Sequence, residues 1–337
     1  MSDRLARDVS DVARKLVPDS RLGVFDVAVE PQRLAGCTTN RDALAALRQL
    51  AAAVGRAADV RLLPDTSVHD EPRAVVTAAI APLLREPRIT ADRVSEALHG
   101  ESLALLERRD GVWLRVRAGD GYHAWTHAGY VATGSDDWAD DWSARATAWS
   151  LGAELKFADR RFRLAVGARV VLGRHGDVET ADGRTWSVTA GTVRPEAELR
   201  AEARLLAAPE WALRWFSGAP YVWGGRTEWG LDCSGLVQAT YAARGVALPR
   251  DSDLQSLAGR EVAIDPAGAG YEAGDVLCFA DGRRISHVAL WAGAGRIVHS
   301  ALSRGGVASD DLLAETPAAR RLRDFLVVVR RPDTPRR

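Results

Sequence analysis

The chain has 337 residues, 47% of them hydrophobic and 27% charged, and its 45 basic groups balance 45 acidic ones to a formal net charge of zero. That length exceeds what one compact core serves and suits roughly two to four domains, and the apolar fraction is ample to bury each, so disorder is excluded as the dominant state. A formal net charge of zero gives no overall electrostatic reason to bind nucleic acid or an anionic bilayer, which depend on a concentrated basic surface, and leaves only local basic patches open.

The opening Met1-Ser2-Asp3-Arg4-Leu5-Ala6-Arg7-Asp8 carries a charge every few residues and lacks the apolar run of a signal peptide. No stretch of about 18 uncharged apolar residues occurs either, so a soluble, cytoplasmic protein without a membrane partner is expected. Cys37, Cys233 and Cys278 lie far apart without any Cys-x-x-Cys, which argues against a disulfide framework and a zinc knuckle.

In chain order, residues 22–29 form a buried strand, and Thr39-Asn40 cap an alanine- and leucine-rich helix ending at Gly55. From Val75 onward, short β runs at 103–109, 113–118 and 122–126 alternate with Asp110-Gly111 and Gly119-Asp120-Gly121 turns, the pattern of a small barrel. Gly134 to Asp137, followed by Trp138 and Trp142, is a connector whose tryptophans cover a neighbour. A second β-rich set follows, with runs at 164–172 and 186–188, and 199–216 reads as one helix opening a new domain. Beyond it lie a helix over 233–244 stopped by Gly245 and strands around 276–279, 287–291, 297–301 and 325–329, an α+β arrangement. The expected division is 1–74, an α/β segment that is either separate or an elaboration of the first barrel, then 75–135, 136–197 and 198–337.

The chemistry concentrates in the last part. A glycine-rich run, Tyr221-Val-Trp-Gly-Gly225, leads to Asp232-Cys233-Ser234-Gly235, delivering a cysteine to the first turn of a helix. There, unpaired N–H groups and the positive end of the helix favour thiolate, which lowers the thiol pKa, and a nearby imidazolium lowers it further. Downstream, His287 and His299 flank a hairpin signal at Ala292-Gly-Ala-Gly-Arg296. A three-residue loop over Gly293, Ala294 and Gly295 pairs Ala289 with His299 and leaves His287 diagonally adjacent on the same face. An even loop without a bulge puts the two imidazoles on opposite faces. Cys233 as nucleophile, His287 as base and His299 as the group that orients it make the arrangement thiol acyl transfer requires.

With Pro249-Arg250-Asp251-Ser252, Gly274-Asp275-Val276 and His287-Val-Ala-Leu-Trp291 in the same order and spacing, residues 199–331 resemble the NlpC/p60 cysteine peptidases. The β-rich region before them is similar to the bacterial SH3-like domains that accompany these peptidases, chiefly through 76–82 and Asp120-Gly-Tyr122-His-Ala-Trp125, with Ala124 where a glycine is usual. The resemblance implies a papain-like fold, α+β, behind two small SH3-like barrels and an N-terminal helical and strand elaboration. It further implies an intracellular γ-D-glutamyl-L-diamino-acid endopeptidase that recycles murein peptides without a cofactor or metal. By position it assigns Cys233, His287 and His299 to catalysis and Tyr221 to the oxyanion. Asp232, Ser234, Asp251 and Ser252 line the pocket for the L-Ala-γ-D-Glu portion, and Tyr122 and Glu86 of the first barrel close its far end. A monomer acting on a murein-derived peptide is the expected assembly; a secreted wall hydrolase and an inert wall-peptide binding protein are the rivals.

Other readings compete at several positions. Cys37 and Cys278 sit in apolar contexts as packing thiols, and His69, His99, His123, His127 and His175 occupy polar or turn contexts where a solvated ring is the default. Asp251-Ser252-Asp253 is also a strong helix-cap sequence. Cys233 with two histidines could in principle hold zinc, but the motifs fit a thiol peptidase better.

Overall fold

A computed structural model describes residues 2–265 and 267–333. It begins with the helix Ser2–Leu16 and an antiparallel pair, Phe25–Val29 with Arg33–Thr38. The helix Arg41–Ala53 then returns the chain to the strand Ala57–Leu62, parallel to Arg33–Thr38. Asn40 starts that helix by accepting the Ala43 amide at 2.9 Å, and Leu44, Leu47 and Ala51 on its inner face pack with Leu5, Val9, Leu34 and Val60.

Two seven-stranded antiparallel sheets follow. The first, between Arg73 and Gly134, is wound around Leu83, Leu103, Leu105, Leu114 and Val116, and the second, between Ala148 and Pro195, around Leu155, Leu164, Val170, Val178 and Trp186. The connector between them is a helix, Asp136–Arg145, capped by Ser135; its buried Trp142 donates Nε1–H to the Gly100 carbonyl at 2.9 Å. His99, expected in solvent, is fully buried where the two sheets meet. Its Nδ1 lies 3.1 and 3.2 Å from the carbonyls of Thr77 and Ala78, and its Nε2 accepts the Ala181 amide at 3.1 Å. The ring thus satisfies three backbone groups that no apolar side chain could serve.

Burial lowers the His99 pKa from 6.5 to about 4. The unfolded chain therefore binds this proton more readily, and the stability held by the neutral ring is full above about pH 6.5 and lost as pH falls toward 4, up to about 3 kcal/mol. Urea unfolding at pH 7 and pH 4.5 is expected to show this loss in the native chain and a smaller one in His99→Gln; equal pH slopes for the two would refute it.

The last part is α+β. The segment read as one helix is two, Glu196–Leu205 and Ala208–Phe216, because Pro209, with no N–H and a fixed φ, starts a helix but cannot lie within one. The helix Cys233–Ala243 lies on a six-stranded antiparallel sheet ordered Arg260–Val262, Leu326–Arg331, Val276–Asp281, Arg284–Gly293, Arg296–Ala301, Gly306–Asp311. Val288, Leu290 and Val298 pack with Leu236, Val237 and Tyr241 of the helix. Ala289, Trp291 and Ile297 join Phe279 in a second cluster, against which Leu322 and Phe325 of a further helix, Pro317–Phe325, are packed.

Candidate active site

The Cys233 helix starts where the sequence places it, and Asp232 fixes the start. Its carboxylate accepts the amides of Gly235 at 2.7 Å and Gly224 at 2.9 Å, so cap and glycine-rich loop are one unit. A Cβ on Gly235 would stand 2.2 Å from the Gly225 carbonyl oxygen, which is why the loop and the first turn meet backbone to backbone. Both Asp232 oxygens also receive the buried Arg250 guanidinium, at 2.7 and 3.0 Å, and Arg250 reaches Ser234 Oγ at 2.9 Å. Asp232 and Ser234, expected to line a substrate pocket, are thus buried and engaged by the loop and Arg250.

The amides of Ser234 and Val288 point at the Cys233 sulfur, which sets it beside the strand backbone one residue after His287. Burial, with the Asp232 charge behind it, outweighs those amides and pushes the thiol up to about 12. This overturns the expected lowering: desolvation of a buried sulfur exceeds what a helix N-terminus supplies. Burial likewise holds His287 down at about 3, with the His299 charge acting in the same direction. The resting groups are a thiol and a neutral imidazole, so the imidazole is competent as a base.

His287 Nε2 lies 2.8 Å from His299 Nδ1, and Phe279 packs against the His287 ring at 5.7 Å between centroids. The hairpin that makes this possible differs from the expected one. Its loop has two residues, Ala294 at φ 48° and Gly295 at φ 79°, both left-handed as a tight hairpin turn requires. A bulge at Ala292 then restores the register, so that Leu290 faces Val298 and Ala289 stands level with His299. The even loop was compatible with a shared face because of that bulge.

His299 Nε2 lies 3.1 Å from Asp310 Oδ2, and Arg304 binds the same carboxylate at 2.7 and 3.0 Å. The sequence reading missed both residues. The available signal was a third strand, Gly306–Asp311, on which Asp310 is opposite Ile297 and therefore diagonal to His299 on one face. Among the described residues, no group of three or more His, Cys, Asp and Glu is placed to hold a metal ion.

Tyr221 is close enough to Cys233 for the sulfur's charge to help burial push its phenol up to about 12. With His287, His299, Asp310 and Arg321 it lines a cavity of about 1060 Å³. Across the site, Asp251 precedes the short helix Ser252–Gln255 without capping it through its side chain. The carboxylate accepts instead from Arg21 at 2.9 Å, and Arg21 also binds Asp253 at 2.7 Å, a contact 230 residues distant that no local pattern could reveal. Burial raises Asp251 and Arg21 opposes it. Tyr122 is buried in the first sheet with Asp251 near enough to add to the burial that raises its phenol. Glu86, expected beside it, is exposed and bound to Arg88 at 2.7 Å, and among the described residues none of its hydrogen bonds reaches the last part of the chain.

The first sheet grips the loop ahead of Cys233. Glu96, only 2% exposed, accepts the Arg226 amide at 2.9 Å while Arg226 donates to the Glu96 carbonyl at 2.7 Å, and Ser95 Oγ accepts from Arg250 at 3.2 Å. From the second sheet the Val166 amide donates to Glu228 at 3.0 Å.

Cys233 is the most exposed of the three cysteines, at 6% against 2% for Cys37 and none for Cys278. Iodoacetamide is expected to label it first, with a rate rising about tenfold per pH unit from pH 7 to 9, since the thiolate is the nucleophile and the thiol's pKa is raised. Peptide mapping checks the site; faster labelling of another cysteine would sink the assignment, and a flat rate would mean a preformed thiolate.

Residues 218–325 match the NlpC/P60 family, and residues 83–128 match the bacterial dipeptidyl-peptidase Sh3 domain. The γ-D-glutamyl-L-lysine dipeptidyl-peptidase of Bacillus subtilis is 42% identical over 88 residues, 25% of this chain and 28% of that protein. The match thus spans little more than a quarter of that relative. Dipeptidyl-peptidase 6 of Lysinibacillus sphaericus is 27% identical over 273 residues, covering 73% of this chain and 94% of the other. A crystal structure of an NlpC/P60 family protein from Bacillus cereus superposes with a TM-score of 0.64 at 20% identity, covering 78% of this chain and all of that one, which is a likeness of fold. The Cys233 helix and the histidine strands therefore lie in an NlpC/P60 domain, and the sheet that grips the loop before them carries a bacterial SH3 domain.

Proposed function

We propose that this chain is a cysteine peptidase that cuts the bond between the γ-carboxyl of D-Glu and a diamino acid in short murein peptides with a free N-terminal L-Ala, in wall recycling inside the cell. The observation that carries this reading is the convergence of the buried Cys233 with the His287–His299 pair next to a loop gripped by an SH3 domain. The names of the B. subtilis and L. sphaericus relatives support the bond and the dipeptide product.

The chemistry is two acyl transfers. As the Cys233 sulfur adds to the D-Glu side-chain carbonyl carbon, its proton passes to His287 Nδ1 and the carbonyl π pair moves to oxygen, held by the Cys233 amide and the Tyr221 hydroxyl. The adduct collapses, the C–N bond breaks, and the leaving amine takes the proton from Nδ1. Water then attacks the thioester, giving a proton to Nδ1, and the C–S bond breaks as that proton returns to sulfur. The cavity beyond His287 receives the departing diamino acid, while Asp251, whose Oδ1 makes no hydrogen bond among the described residues, accepts the L-Ala ammonium beside Tyr122.

Incubation with L-Ala-γ-D-Glu-meso-diaminopimelate followed by mass spectrometry tests the reading. The expected products are L-Ala-D-Glu and free diaminopimelate; an intact peptide, or cleavage at the L-Ala bond, would overturn it.

A further inference from the structure

We propose that Asp310 is a positioning residue that fixes which nitrogen of each active-site imidazole carries the proton, so that His287 offers a bare Nδ1 to Cys233. The kinetic part of this inference rests on the function proposed above; the protonation pattern does not.

Burial raises Asp310, but its bonds to Arg304 and His299 and their charges outweigh that and keep the carboxylate ionised. An ionised carboxylate only accepts. Its Oδ2, 3.1 Å from His299 Nε2, therefore requires a proton on that nitrogen. Burial holds His299 below its ordinary value even against the Asp310 charge, so the ring is neutral and carries one proton. Its Nδ1 is then bare and can only accept. The atom 2.8 Å away is His287 Nε2, which must donate. His287 is neutral too, so its single proton is on Nε2 and its Nδ1 is free to take the thiol proton.

Without Asp310 the order is undetermined. The pair could equally carry its protons on both Nδ1 atoms, with His299 donating to His287, and then His287 would present N–H to a thiol and could not act as its base. Asp310 is the group that breaks this symmetry. Besides Asp310 and Cys233, the charged and titratable groups near the pair are Arg304 on the turn Leu302–Arg304 and, lining the same cavity, Asp281, Tyr221 and Arg321. Arg304 is already bound to Asp310, and none of the other three hydrogen-bonds to His299 among the described residues.

The test uses the full chain with 15N-labelled histidine rings, whose nitrogen shifts distinguish protonated from bare nitrogens, together with turnover of the peptide above. In the native chain both rings are expected as Nε2–H. In Asp310→Ala the two are expected to populate the Nδ1–H form, with kcat falling on the order of 100-fold while KM stays within about threefold. Asp310→Asn, nearly the same shape, can turn its amide N–H toward His299 Nε2 and stabilise the wrong form, so kcat is expected to fall at least as far. Native rings in the Nδ1–H form, or an Asp310→Asn chain with native ring shifts and kcat within about twofold, would overturn the proposal. If the native chain does not cut the peptide, the functional reading fails and the ring shifts still decide this one.

Discussion

Cys233→Ala is expected to abolish hydrolysis of L-Ala-γ-D-Glu-diaminopimelate, a loss on the order of 10⁴- to 10⁶-fold, because no other group can form the acyl intermediate. The two remaining cysteines offer no substitute: Cys278 is fully buried, and Cys37 lies between Glu107 and Arg115 in a contact between the N-terminal unit and the first sheet. Folding should survive the change. Exchanging a sulfur for hydrogen at a site that is 6% exposed costs about 1 kcal/mol, a shift of a few degrees in Tm. Mass spectrometry of the products beside a thermal melt separates the two effects. Turnover within tenfold of the native chain would show that the sulfur is not the nucleophile.

The second large effect concerns the substrate's amino end. In the function proposed above, a free L-Ala ammonium meets Asp251, whose Oδ1 makes no hydrogen bond among the described residues, near Tyr122. Acylating that nitrogen, as in murein still attached to muramic acid, removes its charge and adds bulk toward the first sheet. The carboxylate then keeps only Arg21, with its second oxygen unmatched in a place where burial already disfavours its charge. Such a loss is worth about 2 to 5 kcal/mol, or tens to thousands of fold in kcat/KM. Parallel rates for L-Ala-γ-D-Glu-diaminopimelate and its N-acetyl form measure it. Equal rates would mean that this end of the cleft is open and that Asp251 serves Arg21 alone.

What the sequence made legible was local. A glycine-rich loop before Cys233, a capped helix, two histidines twelve residues apart and a hairpin between them can all be read from spacing, because turn chemistry and period-2 alternation act over a few residues. Even there the bulge at Ala292 was not resolved, since the odd and even loops differ by one residue that either joins the turn or leaves the ladder. The remainder depends on pairings between distant segments. Arg21 reaches Asp251 and Asp253 across most of the chain, and Arg250 binds Asp232 inside the fold. His99 looks like a turn histidine until a second sheet closes over it. Asp310 shares a face with His299 only once the third strand is in register. Pro209 is the exception: its restriction on the helix is local and legible in the sequence itself.

The loop before Cys233 is shaped from outside its own domain. The buried Glu96 carboxylate accepts the Arg226 amide, while the Arg226 guanidinium donates to the Glu96 carbonyl and pairs with Glu101 at 3.3 Å, so each of these bonds is divided between two folding units. Separating the units would leave the Arg226 guanidinium without Glu101 and the Glu96 carboxylate without the Arg226 amide, each more costly alone than together. The SH3 domain therefore behaves as a permanently tethered cofactor of the NlpC/P60 domain, present at a high effective concentration and synthesised before it. A protease nick or a deletion that removes that tether does not simply release a smaller unit with the same site. It leaves the loop before Cys233 without the contacts that shape it, so geometry and tether are lost together.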